Sequence, residues 1–324
     1  MDIVRITFLV GAVVLVPAAL IAYVLVTDLG VRLLPPRTQP RIRPWLWILP
    51  SMLAVTVFLI YPTIATIWLS FLDKAGQTFV GLANYGEVLG DGGVLVSIRN
   101  NIFWLVGYTA LVLVFGLILA VLADRVPYES AVKSLIFMPM AISFVAASVI
   151  WGFMFAYQPP GAPQTGTLNA LLNLFHGSPI AWLIDHRTNN AALILVAVWV
   201  WTGFAMVITS AALKGIPEEL LEAARVDGAT ELTVFRRIII PLLAPTLTVI
   251  GTTLVIFALK AFDIVYVMTS GNYNTNVMAL RMYQEMNNNH NNARASALAV
   301  LLLLAIVPVL VFNVRRLRFQ EAIR

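Results

Sequence analysis

Few residues of this 324-residue chain are suited to covalent chemistry. Cysteine is absent, and the three histidines, His176, His186 and His290, do not stand at spacings that suit a metal site. None of the four lysines follows a glycine, so the chain lacks the Gly-Lys-Ser/Thr ending of a phosphate-binding loop. The sequence therefore predicts a protein that is not an enzyme and that binds neither a metal nor a cofactor itself.

Two charged residues stand inside an otherwise apolar stretch, Thr246–Met268. Lys260 and Asp263 are three positions apart, which in a continuous helix puts them on one face, where they can pair. Ionisable groups at membrane depth are costly and are functional candidates by default. Two interpretations stay open, an ion pair that fixes helix packing and a direct role in a transport pathway.

The loop of residues 214–241 has the pattern of two capped helices. Pro217 suits the first helical position, and Glu218 and Glu219 follow in the first turn, where acidic groups complement the helix dipole. Asp227 and Gly228 then form a stop, because glycine readily takes positive φ at a helix end.

A second short helix is expected after this stop. Thr230 is a suitable N-cap for a helix through Phe235, and Pro241 is expected to end that run. The result is a helix–turn–helix elbow, an element suited to docking in a groove of a partner. The alternative, a plain interfacial loop, explains the charges but not two capped helices around one glycine.

The surrounding sequence is that of a membrane protein. With 60% hydrophobic and 11% charged residues, the composition excludes a soluble enzyme and a nucleic-acid-binding domain. Seven apolar stretches are long enough to cross a bilayer as helices, which predicts an all-α fold. These stretches are Ile3–Val26, Leu46–Leu72, Asn101–Ala123, Lys133–Tyr157, Ala191–Leu213, Thr246–Met268 and Ser296–Val314. The first is interpreted as a retained helix, because its apolar run exceeds that of a signal peptide and no obvious cleavage site follows.

Basic residues predict the orientation of the spans. Fourteen Lys and Arg fall in segments 27–45, 124–133, 214–240 and 315–324, against six in segments 1–5, 73–100, 158–190 and 269–295 on the other side. Because basic loops stay in the cytoplasm, the N-terminus is predicted outside and the C-terminus inside.

The 214–241 loop carries a motif that resembles the EAA motif of ABC importer permeases. The matching residues are Glu222, Ala223, Ala224, Asp227, Gly228, Ile238 and Pro241, with Ile240 where the family usually has leucine before the last proline. Further stretches are similar to sugar-importer permeases of the maltose type: Pro44–Pro62, Phe79–Tyr85, Leu135–Trp151, Thr202–Phe204 and Phe262–Gly271. The likeness is greatest to α-glucoside permeases, in Ser134–Ser143 and Lys260–Ile264.

This resemblance implies a six-helix type I importer core preceded by one extra helix. Residues 1–45 would form the extra transmembrane helix and a basic cytoplasmic linker, and residues 46–324 the permease domain. The implied assembly contains a second homologous permease in a heterodimer, two ATP-binding subunits that hold ATP and Mg²⁺, and an extracytoplasmic sugar-binding protein in a prokaryotic inner membrane. In such an assembly the 214–241 loop docks on an ATPase, with Glu222 in the contact and Gly228 at the turn.

The resemblance also directs attention to a sugar pathway in the membrane. Aromatic faces stack on the apolar faces of sugar rings, although aromatic residues in membrane helices also serve plain packing. The candidate pathway residues are Trp201, Phe204, Phe257, Lys260, Ala261 and Asp263. Ala258 and Ala261 stand where maltose permeases carry asparagines, so hydrogen bonds to a sugar must come from elsewhere in the chain or from the partner permease.

Two other functional classes compete with an ABC permease. An ion-gradient-driven secondary transporter would need no ATPase, but it usually has internal repeats and membrane carboxylates, and only Asp263 fits here. A structural membrane scaffold would support no substrate-dependent ATP hydrolysis in any complex.

Overall fold

The structure is a computed structural model that describes residues 3–321, apart from a number of side chains before residue 17 and after residue 309. Within this part the regular structure is helical, except for one isolated bridge between Leu72 and Phe79. We number the helices α1 (Ile3–Arg32), α2 (Gln39–Leu69), α3 (Ala83–Gly90), α4 (Gly92–Ala123), α5 (Glu129–Ala141), α6 (Phe144–Met154), α7 (Thr167–Leu174), α8 (Asn189–Leu213), α9 (Glu218–Val226), α10 (Glu231–Leu259), α11 (Asp263–Thr269), α12 (Met278–Asn287) and α13 (Asn292–Glu321).

The chain divides into two compact units, one ending at Thr66 and the other beginning at Ile67. In the first unit α1 and α2 pack as a hairpin, in which Tyr23 donates a hydrogen bond to the carbonyl of Leu46. The second unit holds the remaining helices. The sequence places its domain boundary earlier, at residue 45, and that assignment stays a prediction.

Five helices are long and apolar enough to cross a membrane among the described residues: α2, α4, α8, α10 and the part of α13 over Asn292–Val309. The bent pair of α5 and α6 would make a sixth span. The predicted span Ile3–Val26 lies in α1, but many of its side chains are outside the described part, so its crossing of the membrane stays a prediction.

The predicted fourth span, Lys133–Tyr157, is not a continuous helix. Helices α5 and α6 meet at an angle of 100°. Pro139 lies in the tight turn at the end of α5, and the side chain of Ser143 caps α6 by accepting a hydrogen bond from the N–H of Ala146 at 3.2 Å. Proline restricts the residue before it and cannot donate to the helix ladder, which explains why the apolar run bends here.

The predicted sixth span, Thr246–Met268, is also broken. Helix α10 ends at Leu259, and α11 begins only at Asp263. The side-chain amide of Asn101 donates to the carbonyls of Leu259 and Ala258, at 3.3 and 3.5 Å, and its oxygen accepts from the N–H of Met278 at 2.8 Å. The carbonyls at a helix end need hydrogen-bond donors, and the Asn101 side chain supplies them here. Hydrophobic periodicity alone predicts a continuous helix at this point.

Pro241 does not end the second helix of the elbow, contrary to the sequence prediction. It lies within α10, directly after a π-turn over Phe235–Ile239 in which the N–H of Ile240 bonds to the carbonyl of Phe235. Helix α2 repeats this arrangement, with a π-turn over Thr56–Ile60 before Pro62. A widened turn relieves the clash between a proline ring and the preceding carbonyl, so the helix continues through the proline.

Helix α8 is the centre of the second unit, and fifteen of its 25 residues are buried. Helices pack closely on it at two glycines. A β-carbon at Gly116 of α4 would come within 2.5 Å of the Ala205 Cβ, and one at Gly203 of α8 would come within 2.5 Å of the Ile136 carbonyl oxygen. These glycines let α4 and α5 approach the backbone of α8, as small residues do in membrane helix bundles.

A polar cluster ties α4 to α12 and α13. Asp91 precedes α4, caps it through the N–H of Val94, and accepts from Arg281 at 3.0 Å and from Arg294 at 3.1 Å. Burial acts to raise the pKa of Asp91, but the Val94 N–H and the Arg281 charge together hold it below the ordinary value. This carboxylate is therefore ionised at neutral pH and fixes three helix ends together.

Candidate functional site

The elbow that follows α8 consists of α9 and the first turns of α10. The first helix is the one that the sequence predicts, whereas the second is the start of α10 and not a separate short helix. Pro217 lies just outside α9 rather than in its first turn, and Glu218 and Glu219 begin the helix. Thr230 caps the following helix, since its hydroxyl accepts from the N–H of Thr233 at 3.3 Å. Local sequence signals therefore mark the start of both helices, the segment of residues 217–219 for α9 and the Thr230 cap for α10.

Gly228 makes the turn of the elbow. Its φ is +81°, and its N–H and that of Ala229 bond back to the carbonyls of Arg225 and Ala224, both at 3.0 Å. This pair of hydrogen bonds is the Schellman arrangement, which favours glycine at the position with positive φ. Across the turn, the Arg225 side chain pairs with Glu231 at 2.8 Å.

The outer face of the elbow is exposed and partly apolar. Glu222 and Ala223 are exposed, while Ala224 is half-buried. Exposed apolar side chains accompany them at Leu220, Val226 and Leu232, and Val226 is 87% exposed. An exposed carboxylate beside such side chains on a compact pair of helices is the surface expected of an element that docks into a partner.

Charged groups hold the base of the elbow to neighbouring helices. Lys214 pairs with Glu129 of α5 at 2.6 Å. Lys133 contacts Glu129, Ser210 and Asp124, the last at 2.6 Å, and Ser210 donates to Asp124 at 2.7 Å. The network joins the ends of α4, α5 and α8 where the elbow begins.

A cavity of about 200 Å³ lies beside the break between α10 and α11. Its walls are mainly aromatic: Trp104 and Tyr108 from α4, Phe144 from α6, Trp201 from α8, Phe257 from α10, and Phe262. The Trp201 and Phe257 rings lie 4.0 Å apart between centroids, and Trp201 packs edge-on against Phe204 at 5.2 Å.

Most of the predicted pathway residues meet at this cavity. Trp201, Phe257, Lys260, Ala261 and Asp263 line it, whereas Phe204 supports Trp201 from behind. The predicted pairing of Lys260 with Asp263 on one helix face is wrong, because the helix ends between them. Both side chains are exposed, and no ion pair joins them among the described residues.

Three aromatic residues of the cavity are absent from the sequence-based candidates: Trp104, Tyr108 and Phe144. Trp104 is 3% exposed and Tyr108 is 2% exposed. The indole nitrogen of Trp104 and the hydroxyl of Tyr108 have no hydrogen-bond partner in the part of the chain that the structure describes. Their spacing of four residues in the predicted third span was the available signal, but in a wholly apolar helix it does not indicate which face lines a cavity.

The chain is similar in sequence to proteins of a known family. Residues 94–323 match the family described as "Binding-protein-dependent transport system inner membrane component". The osmoprotective compounds uptake permease protein GgtC of Synechocystis is 50% identical over 279 residues, covering 86% of this chain and all of that protein. The alpha-glucoside transport system permease protein AglF of Rhizobium meliloti is 45% identical over 280 residues, covering 86% of this chain and 83% of that protein.

A solved structure has the same fold. It is a chain of a bacterial alginate ABC transporter in complex with an alginate-pentasaccharide-bound periplasmic protein. The TM-score is 0.74 at 20% sequence identity, over 86% of this chain and 94% of the other. At this identity the match describes the fold and does not assign a substrate.

Proposed function

Because the chain belongs to the family of binding-protein-dependent transport system inner membrane components, we propose that it imports α-glucosides as the permease subunit of an ATP-driven sugar transporter. The chain is a transport subunit and not an enzyme. The observation that carries the substrate class is the 45% identity to an α-glucoside permease, together with an aromatic cavity at a helix break. Aromatic walls suit the apolar faces of a sugar ring, and Lys260 and Asp263 at the cavity edge suit its hydroxyl groups.

The elbow connects this permease to its energy source. We infer that an ATP-binding subunit receives the exposed face around Glu222, and that ATP and Mg²⁺ are bound there and not by this chain. Closure of two such subunits would move the elbow, and the Lys214–Glu129 contact would pass this movement to α5 and α8. Alternating access of the cavity is the expected consequence.

Further partners follow from the family description and from the solved relative. A binding protein that delivers the sugar is implied by the words of the family description, and the alginate transporter was solved with its periplasmic protein. A second homologous permease would complete the pathway in a heterodimer. The chain is a multi-pass membrane protein, and its distribution of basic residues favours an outer N-terminus and a cytoplasmic C-terminus in a prokaryotic inner membrane.

Uptake of radiolabelled α-glucosides tests this function. Cells that lack the chain should take up maltose, trehalose or sucrose only when it is restored, and uptake should persist when a protonophore and a sodium ionophore collapse the proton and sodium gradients while ATP is maintained. Glu222→Lys should abolish uptake because it reverses the charge at the docking face, whereas the matched reversal Glu87→Lys, on the exposed surface of α3, should leave it intact. Uptake that depends on the ion gradient and tolerates Glu222→Lys would favour a secondary transporter instead.

A second substrate class has an observation in its favour. The relative at 50% identity is named for osmoprotective compounds. An aromatic cavity can also surround a quaternary ammonium group through cation–π contacts. Competition of the same uptake by glycine betaine, and not by α-glucosides, would assign this class to the chain.

A further inference from the structure

We propose that Trp104 and Tyr108 of α4 recognise the hydroxyl groups of the transported solute in the cavity beside the α10–α11 break. This inference rests on the proposed sugar import and adds two binding residues to it. Neither residue belongs to the elbow or to the pathway residues predicted from the sequence.

A local irregularity of α4 contains both residues. Residues Trp104–Tyr108 form a π-turn within the otherwise α-helical span. Single π-turns inside α-helices occur frequently at functional sites, because they redirect the side chains that they contain. Trp104 and Tyr108 lie 6.3 Å apart between ring centroids, and both line the cavity.

The polar side-chain atoms of Trp104 and Tyr108 are buried without a hydrogen-bond partner among the described residues. Both side chains are almost completely buried, yet the Trp104 indole N–H and the Tyr108 hydroxyl bond to no described protein atom. A buried donor without an acceptor carries a desolvation cost, so native structures nearly always satisfy it. An oxygen of a bound solute can accept from Trp104, and a solute hydroxyl can both accept from and donate to Tyr108.

The rest of the wall gives these donors a selective role. Phe144, Phe257, Ala258, Ala261 and Phe262 carry no polar side-chain atom, so they offer only apolar contact, and Trp201 adds one further indole N–H donor to the wall. Lys260 and Asp263 are exposed at the edge of the cavity and keep access to other partners. The inner wall therefore selects an uncharged ring that carries oxygen atoms on one side and apolar C–H groups on the other.

The size of the cavity narrows the ligand to one such ring at a time. Its volume of about 200 Å³ is below the roughly 300–1,000 Å³ of pockets that enclose drug-sized ligands. A single sugar ring is the matching unit. A site built to hydrogen-bond a hydroxyl discriminates against analogues that lack it, because its own donors are then left unpaired.

Removal of single donors tests the inference in the complete transporter. The purified complex, reconstituted in proteoliposomes with ATP, is assayed for the initial uptake rate of an α-glucoside at sub-saturating concentration and of each of its monodeoxy analogues. Trp104→Phe removes the indole N–H, and Tyr108→Phe removes only the hydroxyl. Each should lower uptake of the parent sugar about threefold to tenfold, the factor expected for one lost neutral hydrogen bond.

Matched variants separate recognition from packing. Trp199→Phe makes the same change on α8 at a tryptophan that packs on Trp151 and does not line the cavity. Tyr85→Phe removes a hydroxyl that pairs with Ser70 at 2.6 Å in another part of the second unit. Neither control should change the ranking of the deoxy analogues.

The decisive result is that the effect of the protein substitution and the effect of the missing ligand hydroxyl on the uptake rate do not add. The deoxy position that costs the wild type a threefold to tenfold loss should cost Tyr108→Phe or Trp104→Phe nothing further. Equal penalties for that analogue in the wild type and in both variants would overturn the inference while leaving sugar import intact. A wild-type complex that transports none of the sugars would instead contradict the proposed function.

Discussion

Gly228 holds the elbow in a conformation that other residues adopt only with strain. Its φ is +81°, and a β-carbon there would meet no atom within 4 Å, so the requirement for glycine is conformational and not a matter of space. Left-handed backbone costs a non-glycine residue about 1–2 kcal/mol. The exposed side chains on either side of it, Val226 at the end of α9 and Leu232 at the start of α10, are then presented in a fixed relation to one another.

Gly228→Ala should therefore weaken the coupling of ATP hydrolysis to uptake without preventing membrane insertion. The matched control is Gly76→Ala, because Gly76 has a φ of +73° and equally open surroundings but lies outside the elbow. The measurement is the number of sugar molecules imported per ATP hydrolysed by the reconstituted complex. Equal coupling ratios for the two variants would show that the shape of the elbow is not what the ATPase recognises.

Sequence reasoning was most successful where the signal is local. Caps and turns are encoded by neighbouring residues, so the Thr230 cap, the Gly228 turn and the first elbow helix agree with the structure, whereas the second elbow helix continues through Pro241 as α10. Trp104 and Tyr108 are missing from the sequence-based candidates, because in a run of apolar residues nothing local indicates which face of the helix lines a cavity. A role for any of these residues in transport stays a prediction.

At the scale of helices, the spans are interrupted where other elements satisfy the freed backbone groups. The α10–α11 break depends on Asn101. Its two carbonyl partners, Ala258 and Leu259, lie 157 and 158 positions further along the chain. Hydrophobic periodicity cannot report such a partner, so the sequence predicted one straight span and a Lys260–Asp263 pair. The break instead opens a cavity lined by both charges.

Close helix packing makes a further prediction at this scale. Gly116→Ala should lower stability by about 1–3 kcal/mol, the typical cost of overpacking, because the new Cβ would lie 2.5 Å from the Cβ of Ala205. Gly107→Ala, on the same helix, is the control, since its Cβ would lie at an ordinary 3.7 Å from Ile194. Thermal unfolding of the purified variants in detergent measures the difference. Unchanged midpoints for both would contradict the close approach of α4 to α8.

At the scale of the whole molecule, the second unit combines a cavity, the α10–α11 break beside it, and an exposed elbow between the end of α8 and the start of α10. The ion network of Lys214, Glu129, Lys133 and Asp124 connects the elbow to the ends of α4 and α8, two helices that contribute cavity residues. This is the arrangement required if energy released by a partner is to change access to a solute site. The composition predicted a membrane protein, and the family match over residues 94–323 identifies its class.

The most direct test of this account is purification of the full-length chain, tagged at its C-terminus and expressed at native level, with identification of every protein that accompanies it. We expect an ATP-binding subunit and a second permease, and we expect Glu222→Lys to release the ATP-binding subunit while Glu87→Lys retains it. Recovery of the chain alone, in a form that transports sugar along an ion gradient, would contradict the central claim that the elbow couples this permease to an ATPase.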